Sequence, residues 1–176
     1  MSARTVLHEA DISRALTRIA HEILESNRGA DDLVLLGIPT RGVALAHRLG
    51  ALISSISQTS VATGSLDVTL FRDDLAKQPT RSPHPTDIPA GGIDGKTVVL
   101  VDDVLFSGRS IRAALDAIQS IGRPAIVRLA ILVDRGHREL PIRPDFVGKN
   151  IPSSRQERVN VRLFDYDGAE EVTIGE

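Results

Sequence analysis

Two neighbouring carboxylates, Asp102 and Asp103, close the apolar run Thr97-Val98-Val99-Leu100-Val101. Val104-Leu105-Phe106 follows, and then Ser107-Gly108-Arg109-Ser110 opens a helical pattern. A helix N-terminus offers free backbone N–H groups and the positive end of a dipole, which together suit a phosphate. Gly108 permits close backbone approach, and the Ser107 and Ser110 hydroxyls add donors. Paired acids at the end of a strand suit sugar hydroxyls or a Mg²⁺ ion. On residue types alone, Asp102 and Asp103 serve equally well as helix-capping acids and Ser107 as an ordinary N-cap. A second loop, Gly37-Ile38-Pro39-Thr40-Arg41-Gly42, also leaves an apolar run, and by itself it reads as a plain strand-to-helix turn. Neither the dinucleotide fingerprint nor the GxxxxGK[ST] nucleotide loop is present.

The elements that must position these loops alternate along the chain. Ile12, Leu16, Ile19, Ile23 and Leu24 recur at helical spacing from Glu9 to a stop at Asn27-Arg28-Gly29. Leu33 to Leu36 predicts a buried strand, and Val43, Leu45, Ala46, Leu49, Leu52 and Ile53 predict the helix after it. Ser65 to Phe71 alternates apolar and polar residues as a half-exposed strand would. Thr97 to Val101 is apolar on both faces, as in a central parallel strand. The next helix carries Ile111, Ala114, Leu115 and Ile118 to a stop at Gly122, and Ala125 to Val133 is a further apolar strand. The chain then reads as irregular and basic to about Arg155, with a short strand near Val159 to Leu163 and an acidic tail. This alternation predicts an α/β fold with a parallel sheet, whose ligands sit at the carboxyl ends of the strands. Arg72 to Lys96 holds Pro79, Pro83, Pro85, Pro89 and Gly91-Gly92 without apolar period, which predicts a mobile loop within one domain spanning residues 1–176.

Composition narrows the class. The 176 residues are 41% hydrophobic and 25% charged, an ordinary globular balance. With no cysteine, thiolate metal sites, disulfides and cysteine nucleophiles are excluded. No apolar run approaches the roughly 20 residues of a membrane span, and the first residues lack the short apolar core expected of a signal peptide. A cytoplasmic protein without a membrane partner is expected. A net charge of −2 means that nucleic-acid binding would need a local basic patch.

Val98 to Ser110 (VVLVDDVLFSGRS) resembles the phosphoribosyl-pyrophosphate (PRPP) motif of type I phosphoribosyltransferases. Leu66 to Leu75 (LDVTLFRDDL), Val133 to Pro141 (VDRGHRELP), Val147 to Pro152 (VGKNIP) and Leu16 to Glu22 (LTRIAHE) narrow the likeness to the PyrR family of pyrimidine operon regulators with uracil phosphoribosyltransferase activity. The likeness runs in order along nearly the whole chain.

The resemblance implies the type I phosphoribosyltransferase fold, a central parallel sheet flanked by helices with a small hood (about 134–155) and a flexible lid (about 72–96). It implies transfer of phosphoribose from PRPP to uracil, giving UMP and pyrophosphate, with Mg²⁺. In that reading Asp102 and Asp103 hold the ribose hydroxyls and help position the metal. Phe106, Ser107, Gly108, Arg109 and Ser110 take the 5′-phosphate. Thr40, Arg41 and Gly42 form the pyrophosphate loop, which in the family often holds a non-proline cis peptide, and Arg72 closes over the leaving group. Arg135, Val147, Gly148 and Lys149 belong to the uracil hood. Purine-salvage relatives carry Asp where Phe106 stands, which disfavours a purine substrate; PyrR relatives commonly carry Tyr there.

Between Asp134 and Leu163 seven Arg and Lys face four acids, a local excess in an otherwise acidic chain. By resemblance, Thr17, Arg18, His21, His137, Arg138, Arg143 and Lys149 bind a hairpin in pyrimidine-gene leader mRNA, with UMP or UTP as co-regulator; DNA is not expected as a partner. A homodimer or homotetramer is implied in the same way. The alternative is an RNA-binding regulator that uses PRPP or UMP only as a signal.

Overall fold

The structure, a computed structural model, describes residues 2–74 and 85–176. Five strands form a parallel sheet: β2 (Leu33–Gly37), β3 (Ala62–Ser65), β4 (Thr97–Leu105), β5 (Ile126–Asp134) and β6 (Phe146–Asn150), in the order β3-β2-β4-β5-β6. The most apolar runs take the centre. Leu33 to Gly37 are all buried, and so are Thr97 to Asp102. β2 and β4 pair in register, Leu36 beside Leu100 and Gly37 beside Val101, so their loops leave the sheet side by side.

Alternate residues face opposite layers. Leu35, Val99, Val101, Ala130 and Leu132 pack under α1 (Glu9–Asn27) and α2 (Arg41–Ser57), while Val34, Leu36, Val98, Leu100 and Leu129 pack under α3 (Arg109–Gln119). A second, antiparallel sheet joins the two ends of the chain: β1 (Arg4–His8), β8 (Glu171–Gly175) and β7 (Arg158–Arg162), with the short helix α4 (Phe164–Asp167) between β7 and β8. Its Leu7, Val161, Leu163, Val172 and Ile174 continue the α1/α2 core.

The sequence reading of Ser65 to Phe71 as a strand does not hold. The backbone turns into a single 3₁₀ turn at Thr69–Phe71. The apolar alternation is real, with Leu66 and Val68 buried and Leu70 exposed, but Asp67 breaks the strand. Its Oδ1 accepts from the Thr69 N–H at 3.3 Å and the Thr69 hydroxyl at 2.7 Å. A short polar side chain that bonds the backbone two residues on favours a turn over a ladder.

The segment expected to be irregular contains β6. As an edge strand it has one neighbour, and its Lys149 and Asn150 are exposed, which hides its periodicity. The acidic tail contains α4 and β8. Within the stretch expected as the hood, 134–155, residues Phe146–Asn150 form β6 of the main sheet, and a separate small sheet is built from β1, β8 and β7. Of the expected lid, residues 75–84 lie outside the described residues. Its later part is pinned to β3, with Ser65 and Asp87 exchanging two backbone hydrogen bonds of 2.9 Å. Among the described residues no helix is long and apolar enough to cross a membrane.

Candidate active site

The loops after β2 and β4 meet at the carboxyl end of the sheet. The Ile38 N–H donates to the Val101 carbonyl at 2.9 Å, carrying the first loop across the end of β4. Contact there is so close that a Cβ on Gly42 would stand 2.5 Å from the Val101 oxygen, and one on Gly37 2.4 Å from the Gly42 oxygen. Pro39–Thr40 is a non-proline cis peptide, as the resemblance led us to expect.

Asp102 is buried beneath this crossing and Asp103 is half-buried. The Asp103 N–H donates to Asp102 Oδ1 at 2.9 Å, and the Val104 N–H to Asp103 Oδ1 at 2.8 Å. Burial, reinforced by the neighbouring Asp103 charge, pushes the Asp102 carboxyl well above the ordinary carboxylate range.

Gly108 lies at φ 94°, in the region glycine favours, and turns the chain into α3. The carbonyls before it are tied down by the segment 138–140. Arg138 Nη1 donates to the Phe106 oxygen at 2.8 Å, and the Glu139 and Leu140 N–H groups donate to the Ser107 oxygen at 2.9 and 3.2 Å. Residues Gly108 to Ile111, which open α3, line a cavity of about 300 Å³ together with Arg72, Asp102, Phe106 and Ser107, and the Arg109 N–H donates to Ser107 Oγ at 3.3 Å. A second cavity of about 240 Å³ beside it is lined by Ile38 to Arg41, Asp67, Arg72, Asp102, Asp103 and Ser110. Asp102, Asp103, Arg72, Thr40, Arg41 and the phosphate loop are thus brought to one place. Gly42 is buried behind it.

Each arginine there has an acidic partner. Arg41 Nε and Nη2 bind the two oxygens of Asp167 at 3.0 and 2.6 Å. Arg72 grips Asp74 through two bonds of 2.8 Å. Arg109 Nη1 lies 2.6 Å from Asp73, with Glu139 at 3.6 Å. The Asp167 partnership, 126 residues distant, gave no signal in the sequence beyond an acidic tail.

The expected uracil residues divide. Arg135 is buried, its guanidinium 4.2 Å from the centre of the Phe106 ring, donating to Ser153 Oγ at 3.1 Å and to the Ser154 oxygen at 2.7 Å. His137 meets the same ring edge-on at 5.9 Å and binds the Ser153 carbonyl. Val147, Gly148 and Lys149 lie on β6 and line neither cavity. Instead, Arg18 of α1 donates to the Val147 and Gly148 carbonyls at 3.0 and 2.6 Å.

That contact joins part of the expected RNA face. Exposed Thr17, Arg18 and His21 stand on α1 beside β6, with exposed Lys149 on β6. Arg143 is exposed on the preceding loop but lines a cleft with Ile111 and Leu115 of α3, on the other layer. Arg138 is different: half-buried, it binds Asp134 at 2.7 Å and the carbonyls of Phe106 and Ile142 at 2.8 Å. It braces the phosphate loop rather than standing free.

Comparison with known proteins agrees with this architecture. The phosphoribosyl transferase domain family matches residues 2–165. The Bifunctional protein PyrR of Leifsonia xyli is 66% identical over 181 residues, covering 100% of this chain and 98% of its own. That of Streptomyces coelicolor is 61% identical, over 98% of this chain and 90% of its own. Among solved structures, the hypoxanthine phosphoribosyltransferase of Trypanosoma cruzi superposes with a TM-score of 0.76 at 18% identity, over 99% of this chain and 96% of its own. A hypoxanthine-guanine phosphoribosyltransferase of Bacillus anthracis gives 0.71 at 15%, over 98% of each chain. These two share the fold.

Proposed function

The chain belongs to the phosphoribosyl transferase domain family and, within it, to the PyrR proteins, and from that premise we propose that it transfers phosphoribose from PRPP to uracil and regulates pyrimidine genes by binding leader mRNA. The observation that carries the enzymatic half is the corner where the start of α3 and Asp102, one residue from Asp103, line one cavity.

In this reading the amides of Phe106 to Ser110 and the two serine hydroxyls hold the 5′-phosphate. Asp102 and Asp103 accept from the ribose 2′- and 3′-hydroxyls. The bond between the anomeric carbon and the pyrophosphate oxygen breaks, and a uracil ring nitrogen bonds to that carbon from the opposite face, with loss of its proton. UMP and pyrophosphate result. Charge grows on the departing oxygens, so fixed positive groups there lower the barrier most. Arg41 and Arg72 line the second cavity and fill that role. Uracil sits toward Phe106, whose ring, backed by Arg135 and His137, presents an apolar wall without the acid a purine would need.

Mg²⁺ suits the donor set as a substrate-borne ion. Asp102 and Asp103 are two carboxylates, and among the described residues no cluster of three metal-ligating side chains exists. A magnesium ion that keeps waters and substrate phosphates needs few protein ligands. When bound it would neutralise pyrophosphate charge beside these acids.

The regulatory half rests on Thr17, Arg18, His21, Arg143 and Lys149, whose cations and hydrogen-bonding groups suit phosphates and unpaired bases. Release of pyrophosphate from PRPP with uracil, compared with hypoxanthine, tests the enzyme. Uracil-dependent release is expected, and release with hypoxanthine alone would contradict it. Retention of labelled leader RNA, stronger with UMP, tests the regulator; no retention in either condition would contradict it.

A further inference from the structure

Arg41 is the first residue of α2. A cation at that end meets the positive pole of the helix dipole, and α2 has no acid in its first turn and no side-chain cap to offset it. Its compensation comes from the other sheet. Asp167, at the end of α4, accepts from Nε and Nη2 with both carboxylate oxygens, and its Oδ2 also accepts the Leu163 N–H at 2.8 Å. The carboxylate is therefore fixed to backbone before it grips the guanidinium. Such a fork fixes direction as well as distance, and it leaves Nη1 for a ligand oxygen.

The pair stands in a wall. Arg41 lines the cavity beside Asp102 and Asp103, and it also lines, with Asp103, Asp167, Asn160 and Arg162, a cleft of about 450 Å³. Arg72, the other cation of the leaving-group side, is gripped by Asp74, two residues along its own segment. The partner of Arg41 comes instead from α4, between the strands of the small sheet and 126 residues away. Hence the place of Arg41 is set by the frame of the molecule.

We propose that Asp167 is a positioning residue for the transfer reaction, holding the Arg41 guanidinium where the departing pyrophosphate needs it. This rests on the phosphoribosyl-transfer reading above and adds to it a residue from the far end of the chain. An arginine side chain otherwise carries substantial rotamer freedom. Ordering it beforehand benefits PRPP and pyrophosphate, and leaves uracil recognition untouched.

The test is steady-state kinetics of wild type, Asp167→Asn, Asp167→Glu and Arg41→Lys, with thermal midpoints alongside. Uracil-dependent turnover by wild type tests the underlying reading; the variants test only the positioning. Asp167→Asn keeps an acceptor for the Leu163 N–H, and Arg48 still binds Asp165 and Glu170 to hold α4 on α2. Asp167→Asn is expected to raise KM for PRPP and the inhibition constant of pyrophosphate about tenfold, with KM for uracil within twofold. Asp167→Glu restores most of the loss. Arg41→Lys, which keeps charge but loses the fork, raises KM for PRPP at least fivefold and decides the matter should Asp167→Asn not fold. Wild-type PRPP and pyrophosphate constants in Asp167→Asn or in Arg41→Lys overturn the proposal. So does an equal rise in the uracil and PRPP constants.

Discussion

The phosphate corner and the face formed by α1 and β6 are built in opposite ways. The first comes from one continuous stretch, Val98 to Ser110, in which strand, acids, turn and helix start follow one another. The second brings together residues about 130 apart, with Arg18 bonded to the Val147 and Gly148 carbonyls as its seam. A contiguous site is carried by local geometry and fails when that geometry fails. A composite one is carried by side chains on separate elements and loses them one at a time. Arg138 crosses the divide, since it sits in the basic segment yet fixes the Phe106 carbonyl.

Substitutions in the phosphate corner should therefore act sharply. Asp102→Asn is expected to lower uracil turnover on the order of a hundredfold or more, since a charge aimed at the reacting sugar is lost. The same change should stabilise the fold. Because the folded state holds the Asp102 proton more tightly than the unfolded chain does, its contribution to stability is present at low pH. It is lost as pH rises from the unfolded value through the raised one. At neutral pH, Asp102→Asn is thus expected to raise the thermal midpoint by about 2–4 °C, for about 1 kcal/mol recovered. A lowered midpoint would show that Asp102 is a structural acid and would erase the contrast.

Gly108→Ala places a side chain at φ 94° with its Cβ 3.4 Å from Ile142. A loss of about 1 kcal/mol in denaturant melts is expected, with KM for PRPP raised several-fold. The pH profile follows from the same acid. Wild-type turnover should fall as pH drops through the raised Asp102 value, well above where an exposed aspartate titrates. The mildest effect belongs to the exposed cations outside the phosphate corner: Arg143→Gln should weaken leader-RNA retention several-fold, with a smaller salt slope and unchanged uracil turnover. Equal loss of both would merge the two regions.

The same contrast explains what could be read from the sequence. The central strands, three long helices and the phosphate loop were legible because apolar period, glycine and helix start lie within a few residues of one another. The Ser65 to Phe71 turn was not, because Asp67 bonding to Thr69 outweighs a strand-like alternation. β1 and β8 were missed since each is short and pairs with the other across the whole chain, and β6 since it is a short edge strand with an exposed end. Arg138 looked like a surface cation because its three acceptors, Asp134, Phe106 and Ile142, are visible only once the 135–145 loop is folded over the phosphate turn. Asp167 was silent for the same reason, as its partner is 126 residues away.

Crystals soaked with UMP offer the most direct test. The account predicts phosphate oxygens within hydrogen-bond distance of the amides between Phe106 and Ser110, and ribose hydroxyls on Asp102 and Asp103. Nucleotide bound elsewhere at saturation, with that pocket unfilled, would contradict it.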